Sequence, residues 1–170
     1  MQRESQIIMG IDPGLANTGW GIIRCGGTHV APVAYGCITT TKSHDLPTRL
    51  AIIHDNLLEI IDRYLPTELS VEGIYFGNNA KSAIPTAQAR GAALVACAYR
   101  ELEYGEYTPM QIKQALVGTG AADKRQIQYM VRAVLKLDHE PRPDHAADAL
   151  AAAITHARLR TSRIIEQQVG

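Results

Sequence analysis

The chain has 170 residues, 17 Lys+Arg balanced by 17 Asp+Glu and 46% hydrophobic content, which describes one globular domain over residues 1–163 with a tail, 164–170, expected to be flexible. No apolar run approaches the roughly 18 residues of a membrane span, and Met1–Ser5 has none of the apolar core of a signal peptide, so a cytoplasmic protein is expected. Cys25, Cys37 and Cys97 form no CxxC pair, which excludes a disulfide scaffold or zinc module, and a pI near 7.0 argues against a protein that coats nucleic acid by bulk positive charge.

In chain order, Gln6 to Asp12 is apolar and isoleucine-rich and reads as a strand. Thr18 to Cys25 follows after Pro-Gly and Asn turn residues, and Thr28 to Thr41 follows Gly26-Gly27. Short turns between these three predict an antiparallel meander. Leu46, Leu50, Ile53, Leu57, Leu58 and Ile61 fall at helical spacing over Leu46 to Tyr64, and Pro66 ends the pattern. A short strand, Leu69 to Glu72, precedes a long helix from about Asn79 to Glu103 and a last strand, Tyr104 to Thr108. Helices over Pro109 to Leu116, Lys124 to Leu137 and Asp144 to about Arg163 complete an α/β layout: a five-stranded mixed sheet, antiparallel first and parallel later, flanked by helices.

The net charge of zero conceals a strong asymmetry. Ser43 to Glu72 carries six acids against two bases, whereas Gln111 to Lys136 carries five bases, Lys113, Lys124, Arg125, Arg132 and Lys136, against Asp123 alone.

Asp12 and Glu72 each close a strand. If those strands lie parallel and adjacent, both carboxylates emerge at the carboxyl edge of the sheet, where α/β folds place their ligands. His145 and Asp148 are three apart and share a face of the first turn of the last helix, while Asp144 is placed to cap it. Alanines at 146, 147, 149, 151, 152 and 153 let that helix lie close to the sheet and carry His145 and Asp148 toward Asp12 and Glu72. Like charges about 4 Å apart repel by up to ~4 kcal/mol per pair at an intermediate effective dielectric, so such a cluster calls for a cation. Oxygen ligands with one imidazole suit Mg²⁺ or Mn²⁺ rather than zinc, and a pair of such ions supports phosphodiester hydrolysis.

Ile11–Gly21, Val71-Glu72, Asn79–Ala83, Gln88–Gly91, Ala122–Gln128 and Asp144–Ala151 together, in this order and spacing, resemble the RuvC family of bacterial Holliday junction resolvases, over Ile7 to about Arg160. The resemblance implies a ribonuclease H-like fold, a homodimer, and an Mg²⁺- or Mn²⁺-dependent endonuclease with two ions per site. Such enzymes nick two strands of like polarity in four-way junctions and leave 5′-phosphate and 3′-hydroxyl ends, in recombination and repair, alongside RuvA and RuvB. Asp12, Glu72, His145 and Asp148 take the catalytic and metal-binding positions. Many relatives carry Asp where this chain has His145, which leaves two roles for the imidazole, metal ligand or general base, with ligand favoured. Tyr75, where relatives carry a base-stacking Phe, and its neighbour Phe76 fall in the junction-probing loop. Asn79, Lys81, Lys113, Lys124 and Arg125 fall at DNA-binding positions.

The long helix itself supports a dimer, since it is apolar on nearly all sides: Ala80, Ile84, Ala87, Gly91, Leu94, Ala98 and Leu102 form one stripe, and Ala92, Ala93, Ala96 and Cys97 are also apolar. Two other classes compete. Asp12-x-Gly14 followed by Asn17-Thr18-Gly19 also resembles the first phosphate loop of actin-like ATPases and sugar kinases, although those need two lobes; and a non-catalytic junction-binding module would carry the same surface.

Overall fold

The computed structural model describes residues 5–74 and 80–169, and the side chains of all of these except 80 and 161–169. Five strands, β1 (Gln6–Asp12), β2 (Asn17–Gly26), β3 (His29–Thr39), β4 (Glu68–Glu72) and β5 (Glu103–Tyr107), form one sheet in the order β3-β2-β1-β4-β5. β1 pairs antiparallel with β2, and β2 with β3. The β1–β4 and β4–β5 pairs are parallel. The mixed sheet expected from the sequence is therefore present, with its strands within three residues of the expected bounds.

Two helices, α1 (Leu46–Tyr64) and α2 (Ala80–Tyr99), are joined by α3 (Pro109–Val117), α4 (Lys124–Leu135) and α5 (Asp144–Val169). Three of the starts have a chemical cause in their capping residues. Asp45 accepts from the Thr48 amide ahead of α1, and Thr108 and Asp123 form reciprocal capping boxes with Gln111 and Gln126. The ends differ from expectation by more than two residues at two helices. α2 stops at Tyr99 rather than Glu103, because Glu101 adopts φ 57° and Glu103 already pairs with Glu68 in the sheet. α5 continues to Val169, beyond Arg163 and through most of the segment expected to be a tail.

The period-2 alternation of the strands divides the core. Met9, Ile11, Leu69 and Val71 face Ile53, Leu57, Ile61, Ala89, Ala93 and Cys97 on α1 and α2. Ile8 and Ile23 face the opposite way and join Leu116, Val131, Leu150 and Ile154 of α3, α4 and α5. The α2 stripe read from the sequence is consequently divided. Ala89, Ala93, Ala96 and Cys97 are buried, Leu94 packs partly against the same core, and Ile84, Gly91, Val95, Ala98 and Tyr99 face outward.

Helix α5 lies unusually close to the sheet, for two complementary reasons. Its alanines supply one, as expected. The other is a row of strand glycines: a Cβ at Gly10 would stand 1.9 Å from the Ala149 carbonyl oxygen, and one at Gly19 1.9 Å from that of His145. Four helical residues rise about 6.0 Å and two strand residues about 6.6 Å, so α5 can track β4 step for step. Ser70 Oγ donates to the Ala152 carbonyl at 2.6 Å, and four residues on, His156 Nε2 lies 2.6 Å from Glu68 Oε2. Glu68 also holds Arg160 at 2.9 Å, and His156 Nδ1 is 2.8 Å from the Tyr107 hydroxyl. With the carboxylate accepting from Nε2–H, Nδ1 accepts the Tyr107 proton, so this buried network is satisfied throughout. It pins the register of α5 against β4 at one end of the strand; the other end is Glu72.

Candidate active site

Glu68, Ser70 and Glu72 share the α5 face of β4, and Gly10 and Asp12 share the same face of β1. Ile11 is in register with Val71, so Asp12 and Glu72 leave the same carboxyl edge of two adjacent parallel strands, as expected. Asp12 is opposite Gly19 of β2, and Gly19 in turn underlies His145. The first turn of α5 thus descends onto Asp12.

His145 Nδ1 lies 2.9 Å from Asp12 Oδ2. One ligand atom from each of Asp12, His145 and Asp148 lies within 4.8 Å of the others, an arrangement that can hold a metal ion. Glu72 is outside that group. It faces Asp148 and Lys113 across a cleft of about 270 Å³ that Ile112, Asp123 and Lys124 also line.

Electrostatics mark these acids as one unit. Burial raises the Asp12 carboxyl above its ordinary value, against the lowering effect of its bond to His145. Glu72 is raised by burial and by the charges of Asp12 and Asp148, with Lys113 opposing. Asp148 is pushed up to about 6, by burial first and then by Asp12, while Lys124 and His145 oppose. Three carboxyls that resist ionisation together, beside a hydrogen-bonded imidazole, form a donor set that a hard divalent cation would relieve.

Lys124 occupies the rim, its Nζ 3.4 Å from Asp144 and 3.9 Å from Asp148. Asp144 is the first helical residue rather than a cap, and its carboxylate is held by Lys124 and, at 3.3 Å, by Arg142. Lys113 and Lys124 therefore belong to the acid cleft itself. Arg125 is exposed on the first turn of α4, and Lys81 is exposed on the first turn of α2. Tyr75, Phe76 and Asn79 lie outside the described residues.

One functional side chain carries no role in the sequence reading. Arg90 of α2 is buried, and its Nη1 donates to the Glu72 carbonyl at 2.7 Å. The available signal was an arginine set among the small residues of Ala89–Ala93, on the face of α2 that the core requires to be apolar.

Comparison with known proteins accords with this geometry. Residues 8–156 match the family model described as crossover junction endodeoxyribonuclease RuvC. The chain is 44% identical to the crossover junction endodeoxyribonuclease RuvC of Finegoldia magna over 149 residues, 88% of this chain and 91% of that protein. It is 49% identical to that of Serratia proteamaculans, over 90% of this chain and 87% of the other. Among solved structures, Thermus thermophilus RuvC in complex with Holliday junction substrate superposes with a TM-score of 0.88 at 35% identity, covering 93% of this chain and 96% of the other. The yeast mitochondrial resolvase Ydc2, at 12% identity and a TM-score of 0.63, shares the fold. The ribonuclease H-like architecture that the resemblance implied is borne out, and the chain belongs to the RuvC family of crossover junction endodeoxyribonucleases.

Proposed function

We propose that the protein resolves four-way (Holliday) DNA junctions by symmetric, metal-dependent phosphodiester hydrolysis in two strands of like polarity, in recombination and repair. The observation that supports this most strongly is the Asp12–His145–Asp148 cluster beside Glu72, at the carboxyl edge of a RuvC-family sheet. Asp12, Glu72, His145 and Asp148 would hold two Mg²⁺ or Mn²⁺ ions. When bound, such ions activate water and stabilise the departing 3′ oxygen, which leaves 5′-phosphate and 3′-hydroxyl ends.

The chain's own residues do the rest. With Asp12 ionised, His145 Nδ1–H donates to Asp12, which fixes the ring, and the imidazole would join the carboxylates in holding the ion. Lys113 and Lys124 offer ammonium groups to the scissile phosphate at the cleft, and Arg125 offers its guanidinium to a phosphate beyond it. Tyr75, Phe76, Asn79 and Lys81 would also contact the DNA, the two aromatics by stacking on unpaired bases. The proposed partners are RuvA and RuvB, by family resemblance, with the work done in the cytoplasm where the DNA is.

A four-way junction has near two-fold symmetry, and two equivalent strands call for two equivalent sites. The outward face of α2 supplies the symmetric surface: Ile84 is 62% exposed, Val95 49% and Tyr99 69%, around Gly91, where a Cβ would meet open space. An exposed glycine inside a helix costs about 1 kcal/mol relative to alanine, and close approach of a second α2 gives it a use. Val95→Arg should leave the circular dichroism spectrum intact, convert dimer to monomer in sedimentation and uncouple the two nicks; a Val95→Arg dimer would contradict the α2 interface.

The catalytic assignment is tested by Asp12→Asn. This variant should bind four-way junctions within about threefold of the parent and give no cleavage with Mg²⁺. Cleavage at the parental rate would remove Asp12 from the mechanism.

A further inference from the structure

The Gln88–Gly91 motif is left without a role by the chemistry above. At its centre, the Arg90 side chain is 10% exposed and its guanidinium serves three acceptors at once. Nη1 donates to the Glu72 main-chain carbonyl at 2.7 Å, while Nη2 reaches the Tyr104 hydroxyl at 2.8 Å and Glu106 Oε2 at 2.5 Å. Tyr104 OH in turn donates to the same Glu106 oxygen. Glu72 is the last residue of β4, and the Gly73 amide still bonds the Tyr107 carbonyl at 2.8 Å before the chain leaves the sheet. The guanidinium therefore clamps the backbone of a proposed catalytic acid at the point where the ladder ends. It does so from α2, a separate element, and braces itself on Tyr104 and Glu106 of β5.

A planar fork with several fixed donors can bridge a carbonyl, a hydroxyl and a carboxylate simultaneously, and a lysine ammonium at the same position cannot match that geometry. Burying a guanidinium is costly unless it is fully paired. Here the pairing is spent on the main chain of Glu72 and its β5 neighbours. We infer that Arg90 is a positioning residue that sets the Glu72 carboxylate relative to Asp12 and Asp148 by holding its carbonyl, and that it links the site to α2, whose opposite face is proposed to meet a second copy. The inference rests on the reading of Glu72 as part of the metal-dependent site.

The test is a double-mutant cycle on Mn²⁺ affinity, measured by electron paramagnetic resonance on the full-length protein, together with single-turnover junction cleavage. Arg90→Lys should weaken Mn²⁺ binding about three- to tenfold in the parent and have no further effect in a Glu72→Gln background. Cleavage at saturating junction should fall about 10²-fold, with junction affinity unchanged. Glu106→Gln, at a half-exposed position, should give smaller losses of the same kind, so the answer does not depend on Arg90→Lys folding. Equal Mn²⁺ losses with and without the Glu72 carboxylate, or parental cleavage by both Arg90→Lys and Glu106→Gln, would overturn the inference. A parent that neither binds Mn²⁺ nor cuts would instead remove the reading of Glu72 on which it rests, and the inference with it.

Discussion

Asp148→Asn is expected to make the metal-free protein more stable and nearly inactive at the same time: at pH 7.5 its melting temperature should rise by about 4–8 °C, and junction cleavage should fall at least about 10³-fold. The Asp148 carboxyl titrates near 6 in the fold, against an ordinary 3.8, because it is buried beside Asp12. Its side chain is 32% exposed, so solvent screening reduces the corresponding stability term to about 2 kcal/mol. The sign follows from linkage. A carboxyl whose folded value is raised binds its proton more tightly in the fold than in the unfolded chain. Its stabilising contribution is complete below about pH 3.8 and is lost as the pH rises through about 6. The amide keeps the neutral form at every pH. The gain in melting temperature should therefore be full at pH 7.5, much smaller at pH 4.5, and reversed in order when saturating Mg²⁺ stabilises the parent alone. Calorimetry at the two pH values with and without Mg²⁺ checks this. An Asp148→Asn protein less stable than the parent at pH 7.5 without metal would show that the acids are not in electrostatic conflict.

The second large effect is expected from one methyl group added beneath the backbone of His145, at a residue that offers no ligand atom of its own. A Cβ at Gly19 would stand 1.9 Å from the His145 carbonyl oxygen and 2.3 Å from its carbonyl carbon. Backbone cannot yield as a flexible side chain can, so Gly19→Ala must lift the first turn of α5 away from β2. His145 and Asp148 both ride on that turn, whereas Asp12 and Glu72 stay with the sheet. A displacement on the order of 1 Å costs about 10²-fold in rate, and overpacking of this kind costs about 1–3 kcal/mol in stability. Single-turnover cleavage should fall about 10²-fold while junction affinity, which depends on the wider basic surface, changes by less than about threefold. Parental cleavage by a folded Gly19→Ala protein would mean that the closeness of α5 to the sheet does not set the site.

Much of this architecture can be read from the sequence wherever the causes are local. The helix starts at Leu46, Pro109 and Lys124 and the strand-ending Asp12 and Glu72 are such cases. The helical i, i+3 spacing of His145 and Asp148 brings both toward Asp12, as expected. What escaped the sequence depends on register between distant segments. Gly19 looks like an ordinary turn or strand residue until β2 is laid beneath α5. His156 acquires its role only when the rise of α5 is matched to β4, which sets it against Glu68 and Tyr107. Arg90 reads as one charge among alanines until α2 is folded over the end of β4. The α2 stripe is the instructive intermediate. Its composition announces a helix covered on two sides, but which residues turn inward is decided by the sheet: Ala89, Ala93, Ala96 and Cys97 do, and Gly91, Val95 and Ala98 do not. The basic segment illustrates the same limit, because Lys113 and Lys124 look like general phosphate contacts in the sequence yet stand among the acids in the fold.

Neutral net charge finds its meaning here too. Asp12, Glu72 and Asp148 gather at the cleft while other acids are spread along α1, and Lys113 and Lys124 stand at the cleft with Arg125 and Arg132 along α4, so at zero net charge affinity for linear duplex should be weak and strongly salt-dependent. Selectivity then has to come from shape and two-fold geometry. The most direct measurement is cleavage of an end-labelled four-way junction and a linear duplex of the same sequence, each with and without Mg²⁺ or Mn²⁺. Paired nicks at symmetric positions in two strands of like polarity, in the junction alone and only with the ion, are the predicted result. Equal cutting of the duplex, or junction cutting undiminished in the presence of chelator, would contradict it.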